Sequence, residues 1–437
     1  LTENVWGRGL MAYPVADALP RQVEPVTTDD KYHYCVHRFE HAIDLLSPDA
    51  VAAYVELAYE SPWRRFADQF GKTIKSIWVD EPSFRPPMLP WSPKLPAVFQ
   101  KSWGYDLLPH VPQLFRRQGD YISVRHHYWR TVVEMLASGY FATIADWCSA
   151  HDLEFSGHLM GEETLADQIA LTGATMPLYE YMHLPGIDHL SSSLNWTHGA
   201  AGGEGGVKCI LAPKQCTSVA NQMGRPRALA EMYGVSTQAL TFVDQKRIGE
   251  FLALLGINQR CLHASFFSMR GRRKRLHAPN LSYQQPWWQH NPCMADYFAR
   301  LSYLLRQGHY AANVAIIHPV ESAFACFDPL LYHRSLHKRS PMPDIERMNS
   351  HLVELCENLL DIGCQFELVD ETILARHGRA TPDGQLDVGK MSYQAVILPE
   401  LLTIRSSTLR LLQQFAESGG TILSTASVPR RIDGTED

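Results

Sequence analysis

The run Thr73-Ile74-Lys75-Ser76-Ile77-Trp78-Val79 passes directly into Asp80-Glu81-Pro82, and reading it as a strand that ends on two acids decides the fold. Its β-branched and aromatic residues suit a pleated strand, and Pro82 stops it because proline has no N–H for a sheet ladder. Upstream, Ser47-Pro48-Asp49 offers an N-cap, a proline at the first helical position and an early acid, so a helix is predicted from Pro48 towards Glu60. The unit then repeats. Arg125 to Ala150 has helical periodicity, Leu153 to Leu159 reads as a strand, and Gly161-Glu162-Glu163 lies beyond its end. Thr164 to Thr172 is helical again, followed by Gly186-Ile187-Asp188-His189-Leu190, a glycine-rich loop from Gly199 to Gly206, and the apolar run Val207 to Leu211. Arg227 to Glu231 is a short strand, Thr241 to Leu255 a helix stopped by Gly256, and Gln259 to Ser265 a last strand ending in polar groups.

Strands alternating with helices predict a parallel sheet, and His, Asp or Glu at each strand's C-terminal end predicts a TIM-type (β/α)8 barrel. Four or five such units precede residue 270, fewer than the eight that close a barrel, so residues 1–310 are expected to form a barrel incomplete at its N-terminus. From about Ala311 the pattern changes. Val314 to Ile317, Gln365 to Val369, Tyr393 to Leu398 and Thr421 to Leu423 are strands, separated by helices at Met348 to Leu360 and Ser407 to Ser418. Residues 311–437 are therefore expected to be a doubly wound, flavodoxin-like α/β domain. It holds no GxGxxG or phosphate loop.

Composition narrows the partners. Apolar residues make up 45% and charged residues 20% of 437, as in ordinary globular proteins, and the formal net charge of −6 disfavours nucleic acid. The densest basic run, Arg270-Gly271-Arg272-Arg273-Lys274-Arg275, fits a solvated loop or a contact with phosphate or an acidic partner. No apolar stretch is long enough to span a membrane. The nine cysteines show no metal-like spacing and read as buried free thiols.

Glycosidic bonds are usually broken by two carboxyl groups flanking the bond. Glu81, with Asp80 beside it, is the first candidate, although an acid before proline also caps turns. Glu231 is the second, at the end of a buried strand before Met232-Tyr233-Gly234. His158, Glu162 and Glu163 form a third group, suited to a hydroxyl-rich substrate or to a hard cation such as calcium. The alternative for the two glutamates is a helix start that stabilises negative charge. His263 is placed for sugar contact or as a core histidine. Trp91, Trp196, Trp287 and Trp288 fall in loops after strands, where aromatic faces stack on sugar rings.

The order Tyr34, Phe39, Asp44-Leu45-Leu46-Ser47, Phe70-Gly71-Lys72-Thr73-Ile74, Asp80-Glu81-Pro82, Leu89-Pro90-Trp91, Gly104-Tyr105-Asp106 and Arg125 is similar to large bacterial α-L-rhamnosidases of glycoside hydrolase family 106. The resemblance continues through Gly157-His158, Pro185-Gly186-Ile187-Asp188, Ala230-Glu231-Met232-Tyr233-Gly234, Arg273-Lys274, Pro286-Trp287-Trp288 and Leu398-Pro399-Glu400-Leu401-Leu402. It implies a (β/α)8 barrel, removal of terminal rhamnose from an oligosaccharide or polysaccharide with inversion, and a bound calcium ion. It places Glu81 and Glu231 as the carboxylate pair; the reading of the residues themselves adds Asp80, His158, His263, Trp91 and Trp287 as substrate contacts and Glu162 and Glu163 as candidate metal ligands. It further implies a chain truncated at both ends, from a parent that is periplasmic or secreted if it carries a signal peptide and cytoplasmic otherwise. The α/β segment also resembles the one after the barrel in certain β-galactosidases, which leaves a retaining β-galactosidase-like enzyme, or a barrel that only binds sugar, as the other readings.

Overall fold

The computed structural model describes residues 5–20, 23–190, 192–196, 207–275, 277–332 and 342–436. The predicted parallel strands form one wall. Ser76–Asp80 pairs in parallel with Glu154–His158, Asp80 opposite His158. A parallel bridge from Ser156 to Leu184 leads on to Gly186–His189. That strand pairs with Leu229–Met232, which pairs with Gln259–Leu262. Glycines allow the strands to approach this closely. Gly157 sits at φ +132°, where a Cβ would drive into the Val79 carbonyl of the neighbouring strand, and a Cβ on Gly186 would meet the Gly157 oxygen at 2.6 Å. The result is a mixed α/β protein.

The predicted helices form, and they start at capping residues. The Ser47 side chain accepts from Ala50 N to start Pro48–Val55, and a π-helical turn carries the chain on to Glu60. Thr164 accepts from Asp167 N at the start of Leu165–Thr172, and Thr241 forms a capping box with Asp244 ahead of Phe242–Leu254. Tyr121–Leu136 is buried nearly all round, so its polar residues need internal partners. His126 Nε2 lies 2.9 Å from Glu321 and His127 Nε2 lies 2.8 Å from the Asp433 carbonyl, both in the C-terminal half.

Two segments differ from the sequence expectation. Trp6–Pro14, Val23–Thr28 and Tyr32–Ile43 form an antiparallel sheet that Leu89–Trp91 joins, so these strands lie outside the parallel wall. Trp91 is thus a sheet residue, 6% exposed in the core, instead of a loop aromatic. The apolar run at Val207 is a strand of only two residues, and the chain then enters a helix, Leu211–Gln222, that apolar periodicity does not reveal.

In the C-terminal half, Phe366–Val369, Val314–Ile317, Ala395–Leu398 and Thr421–Ser424 lie side by side in that order, all parallel. This is a four-stranded parallel sheet in which Phe366–Val369 is an edge. An edge strand leaves N–H and C=O groups open. Here the helix Leu211–Gln222 covers them with side chains one turn apart. Lys214 Nζ donates to Phe366 O (2.7 Å), Ser218 Oγ accepts from Leu368 N (2.9 Å) and Gln222 Nε2 donates to Leu368 O (2.9 Å). Lys214 is 2% exposed, its charge lying over the Tyr310 and Phe366 rings.

Candidate active site

The C-terminal ends of four neighbouring wall strands bring Asp80, Glu81, His158, Asp188 and Glu231 together. Glu231 is opposite Asp188 in register, so both side chains leave the same face of the sheet. His158 is 1% exposed, and its Nε2 lies 2.9 Å from Glu231 Oε2 and 3.5 Å from Asp80 Oδ1. His263, after the last wall strand, brings Nε2 to 4.0 Å from Glu231 Oε1. Glu81 adopts φ +52°, and the turn after Glu231 has positive φ at Tyr233, Val235 and Thr237. Backbone strain of this kind collects at functional sites.

Burial alone would depress the His158 imidazole, but the bond to Glu231 and the charges of Glu162, Asp188 and Glu231 raise it to about 9. Burial pushes Glu231 up, yet the same bond and the charges of His158 and His263 hold its carboxyl below the usual range. Asp188 behaves oppositely. Burial, with Glu231, Glu81 and Glu162 nearby, lifts it to about 8 against the pull of His158.

The sign of the His158 shift fixes a test. A ring held at about 9, above its ordinary 6.5, stabilises the fold fully below pH 6.5, and that stabilisation is lost as pH rises through 9. Melting temperature is expected to fall between those limits, and His158→Gln should remove on the order of 3 kcal/mol of this dependence. Parallel melting curves for the two proteins across that range would refute the assignment.

Glu162 is a brace. Its Oε1 accepts from Leu159 N at 3.0 Å and from the Tyr179 hydroxyl, and its Oε2 from Asp188 N at 3.3 Å. It therefore ties together the ends of the strands that carry His158 and Asp188. Burial raises it to about 7, and His158, Tyr179 and the two amides only partly oppose this. Glu163 is half-buried beside it, and burial together with the charges of Glu162 and Asp167 raises its carboxyl well above the ordinary range.

The donor atoms of Glu81, His158 and Asp188 lie within 4.8 Å of one another. Asp188 Oδ1 is buried without a hydrogen-bond partner. Crowded carboxylates with a bare oxygen fit a hard cation such as calcium, whereas the imidazole suits softer metals and its Nε2 already faces Glu231.

Of the sequence candidates, the structure thus assembles Glu81, Asp80, His158, Glu231 and His263. It places Glu162 immediately behind them. Trp91 is in the antiparallel core, and Trp287 packs edge-on against Phe242 with ring centroids 5.1 Å apart. The Trp196 side chain lies outside the described residues. Asp188 and Tyr179 were not singled out as site residues. Asp188 did carry a signal, since it sits at a strand end between Ile187 and His189 just as Glu231 sits between Ala230 and Met232.

The mixed α/β fold that carries this cluster is shared with solved glycosidases. A rhamnosidase from Novosphingobium sp. PP1Y matches with a TM-score of 0.65 and 18% identity over 93% of this chain and 38% of that one. A β-galactosidase from Bacillus circulans sp. alkalophilus matches with a TM-score of 0.60 and 11% identity over 94% of this chain and 59% of that one. These likenesses establish the fold. The family follows from the sequence: the α-L-rhamnosidase pattern of glycoside hydrolase family 106 matches residues 40–327, and the chain belongs to that family. A protein named putative beta-glucuronidase from Formosa agariphila is 21% identical over 411 residues, 90% of this chain and 30% of its own length. The chain spans less than two thirds of the length of these relatives.

Proposed function

We propose that the chain carries the catalytic centre of a glycoside hydrolase that releases terminal α-L-rhamnose, with its parallel wall belonging to a (β/α)8 barrel. The observation that carries this is the Glu231 carboxylate held ionised by His158, with Glu81 beside the same imidazole. In this reading Glu231 takes a proton from water and Glu81 gives one to the leaving oxygen, the division of labour that glycoside hydrolysis requires. His158 and His263 fix the ionisation of Glu231, and Asp80 meets substrate at the open rim, its side chain 77% exposed. Asp188 is the residue that would hold calcium, which when bound supplies positive charge to orient sugar hydroxyls. Family membership supports rhamnose.

The test is hydrolysis of an aryl α-L-rhamnoside followed by NMR, with and without a chelator. Release of rhamnose as the inverted anomer is expected. Cleavage of an aryl β-D-galactoside with retention would instead establish the β-galactosidase-like reading. Saturable sugar binding with no product from either would make this a binding barrel.

A further inference from the structure

One stretch singled out in the sequence, Leu398-Pro399-Glu400-Leu401-Leu402, has no part in the site described above. It leaves the carboxyl end of the strand Ala395–Leu398. The chain builds that sheet from Val314–Ile317, first outward to Phe366–Val369 and then across to Ala395–Leu398 on the other side. Connections thus leave the two central strands in opposite directions, and parallel α/β sheets take ligands in the crevice this opens beyond the carboxyl ends. A cavity of about 210 Å³ lies there, bordered by Glu400 to Leu402 and by Cys326. Cys326 ends the helix Val320–Cys326, which follows Val314–Ile317. The start of the helix Tyr121–Leu136 borders it from the other half of the chain.

Its polar lining is held in place. Arg347 donates from Nε to Glu400 Oε1 at 2.7 Å and from Nη1 to Asp344 Oδ1 at 3.2 Å. Glu400 Oε2 is buried without a hydrogen-bond partner, with His351 Nδ1 3.4 Å away. A buried acceptor left bare calls for a donor. Arg117, which also lines the cavity, is exposed, and among the described residues no group accepts from its guanidinium. Arg125, 1% exposed, holds its Cζ 5.1 Å from the Tyr121 ring centroid and so steadies that ring at the cavity wall. Two cations, Arg117 and Arg347, offset two carboxylates, Asp344 and Glu400, so the lining favours a neutral ligand. A bare acceptor and a free donor beside Tyr121, Ile122, Met348 and Leu401 suit hydroxyls carried on a C–H-rich ring. The cavity is smaller than the roughly 300 Å³ at which sites for drug-sized ligands begin, so it holds one such ring.

We infer that this crevice is a second sugar site, separate from the catalytic centre, that takes one neutral monosaccharide. Glu400 accepts from one hydroxyl of the sugar and Arg117 donates to another. The test needs no turnover. Saturation-transfer NMR titrations with L-rhamnose, D-galactose and D-glucose should show saturable binding of at least one of them. Glu400→Leu, which removes both acceptors at similar volume, should weaken that binding at least ~10-fold. Arg117→Gln should weaken it in the same direction, and because no partner holds this exposed side chain its fold is not at stake. The double variant Glu81→Gln/Glu231→Gln should keep the binding that Glu400→Leu loses, which separates the crevice from the active site. Hydrogen exchange should slow on sugar binding in residues 117–122 and 400–402. No saturable binding of any of the three sugars would overturn the inference, as would wild-type affinity in both Glu400→Leu and Arg117→Gln. Equally tight binding of L-alanine or of sodium D-galacturonate would overturn it too, because the crevice would then read charge and not a neutral ring. If no glycoside is cleaved, the hydrolase reading fails and these titrations still decide the second site.

Discussion

Glu231→Gln is expected to lower kcat on an aryl α-L-rhamnoside by at least ~10²-fold while leaving KM within a few-fold and the fold intact. The substitution keeps the shape of the side chain and an oxygen to receive the His158 Nε2 bond, which spans 2.9 Å. It removes a carboxyl group that His158 and His263 hold below the ordinary range. An amide accepts no proton from water, so the loss falls on the chemical step and spares binding. It should also lower the His158 pKa, because Glu231 is one of the groups that raise that ring to about 9. Glu81→Gln should lose activity too, with a milder loss on substrates whose leaving group needs no proton. A Glu231→Gln protein turning over within three-fold of wild type would remove Glu231 from the mechanism.

Gly157→Ala is expected to abolish the soluble fold, at a cost above ~4 kcal/mol. Two independent penalties combine. The residue sits at φ +132°, which only glycine adopts freely, and an added methyl would run into the Val79 carbonyl and meet its amide nitrogen at 2.8 Å. Both obstacles are backbone of the paired strand, so no rotamer change relieves them. Val79 and Gly157 are register partners one step before Asp80 and His158. Forcing them apart would separate the strand that bears Glu81 from the one that bears His158. Circular dichroism and expression level check this; a folded Gly157→Ala protein melting within a few degrees of wild type would refute it.

The wall was legible because each of its strands is a short apolar run closed by a polar residue, as in Val79-Asp80-Glu81 and Ala230-Glu231. The cap at Ser47 marked a helix start for the same local reason. What escaped depends on tertiary partners. The helix Leu211–Gln222 buries Lys214, Gln215, Thr217, Ser218 and Gln222, so it has no apolar stripe to show; its polar face is explained only by the sheet edge it covers. Trp91 belongs to a strand of three residues, too short to show alternation, whose partner Trp6–Pro14 lies far back in the chain. Asp188 gained its place from register with Glu231 and from crowding by other carboxylates, and neither is written in its neighbours in sequence. Glu162 stood among the candidate ligands because it follows a strand, and its bracing hydrogen bonds come from three donors that only the fold brings together.

The side chains that Leu211–Gln222 lends to the open margin of the C-terminal sheet bear on how this protein is inherited and handled. Each half supplies what the other would otherwise present to any passing chain: without the helix, Phe366–Val369 is an adhesive rim; without the rim, a helix is left with a buried-type lysine facing water. A cut between them yields two sticky fragments instead of two modules. Such a chain is expected to fold and unfold as one block.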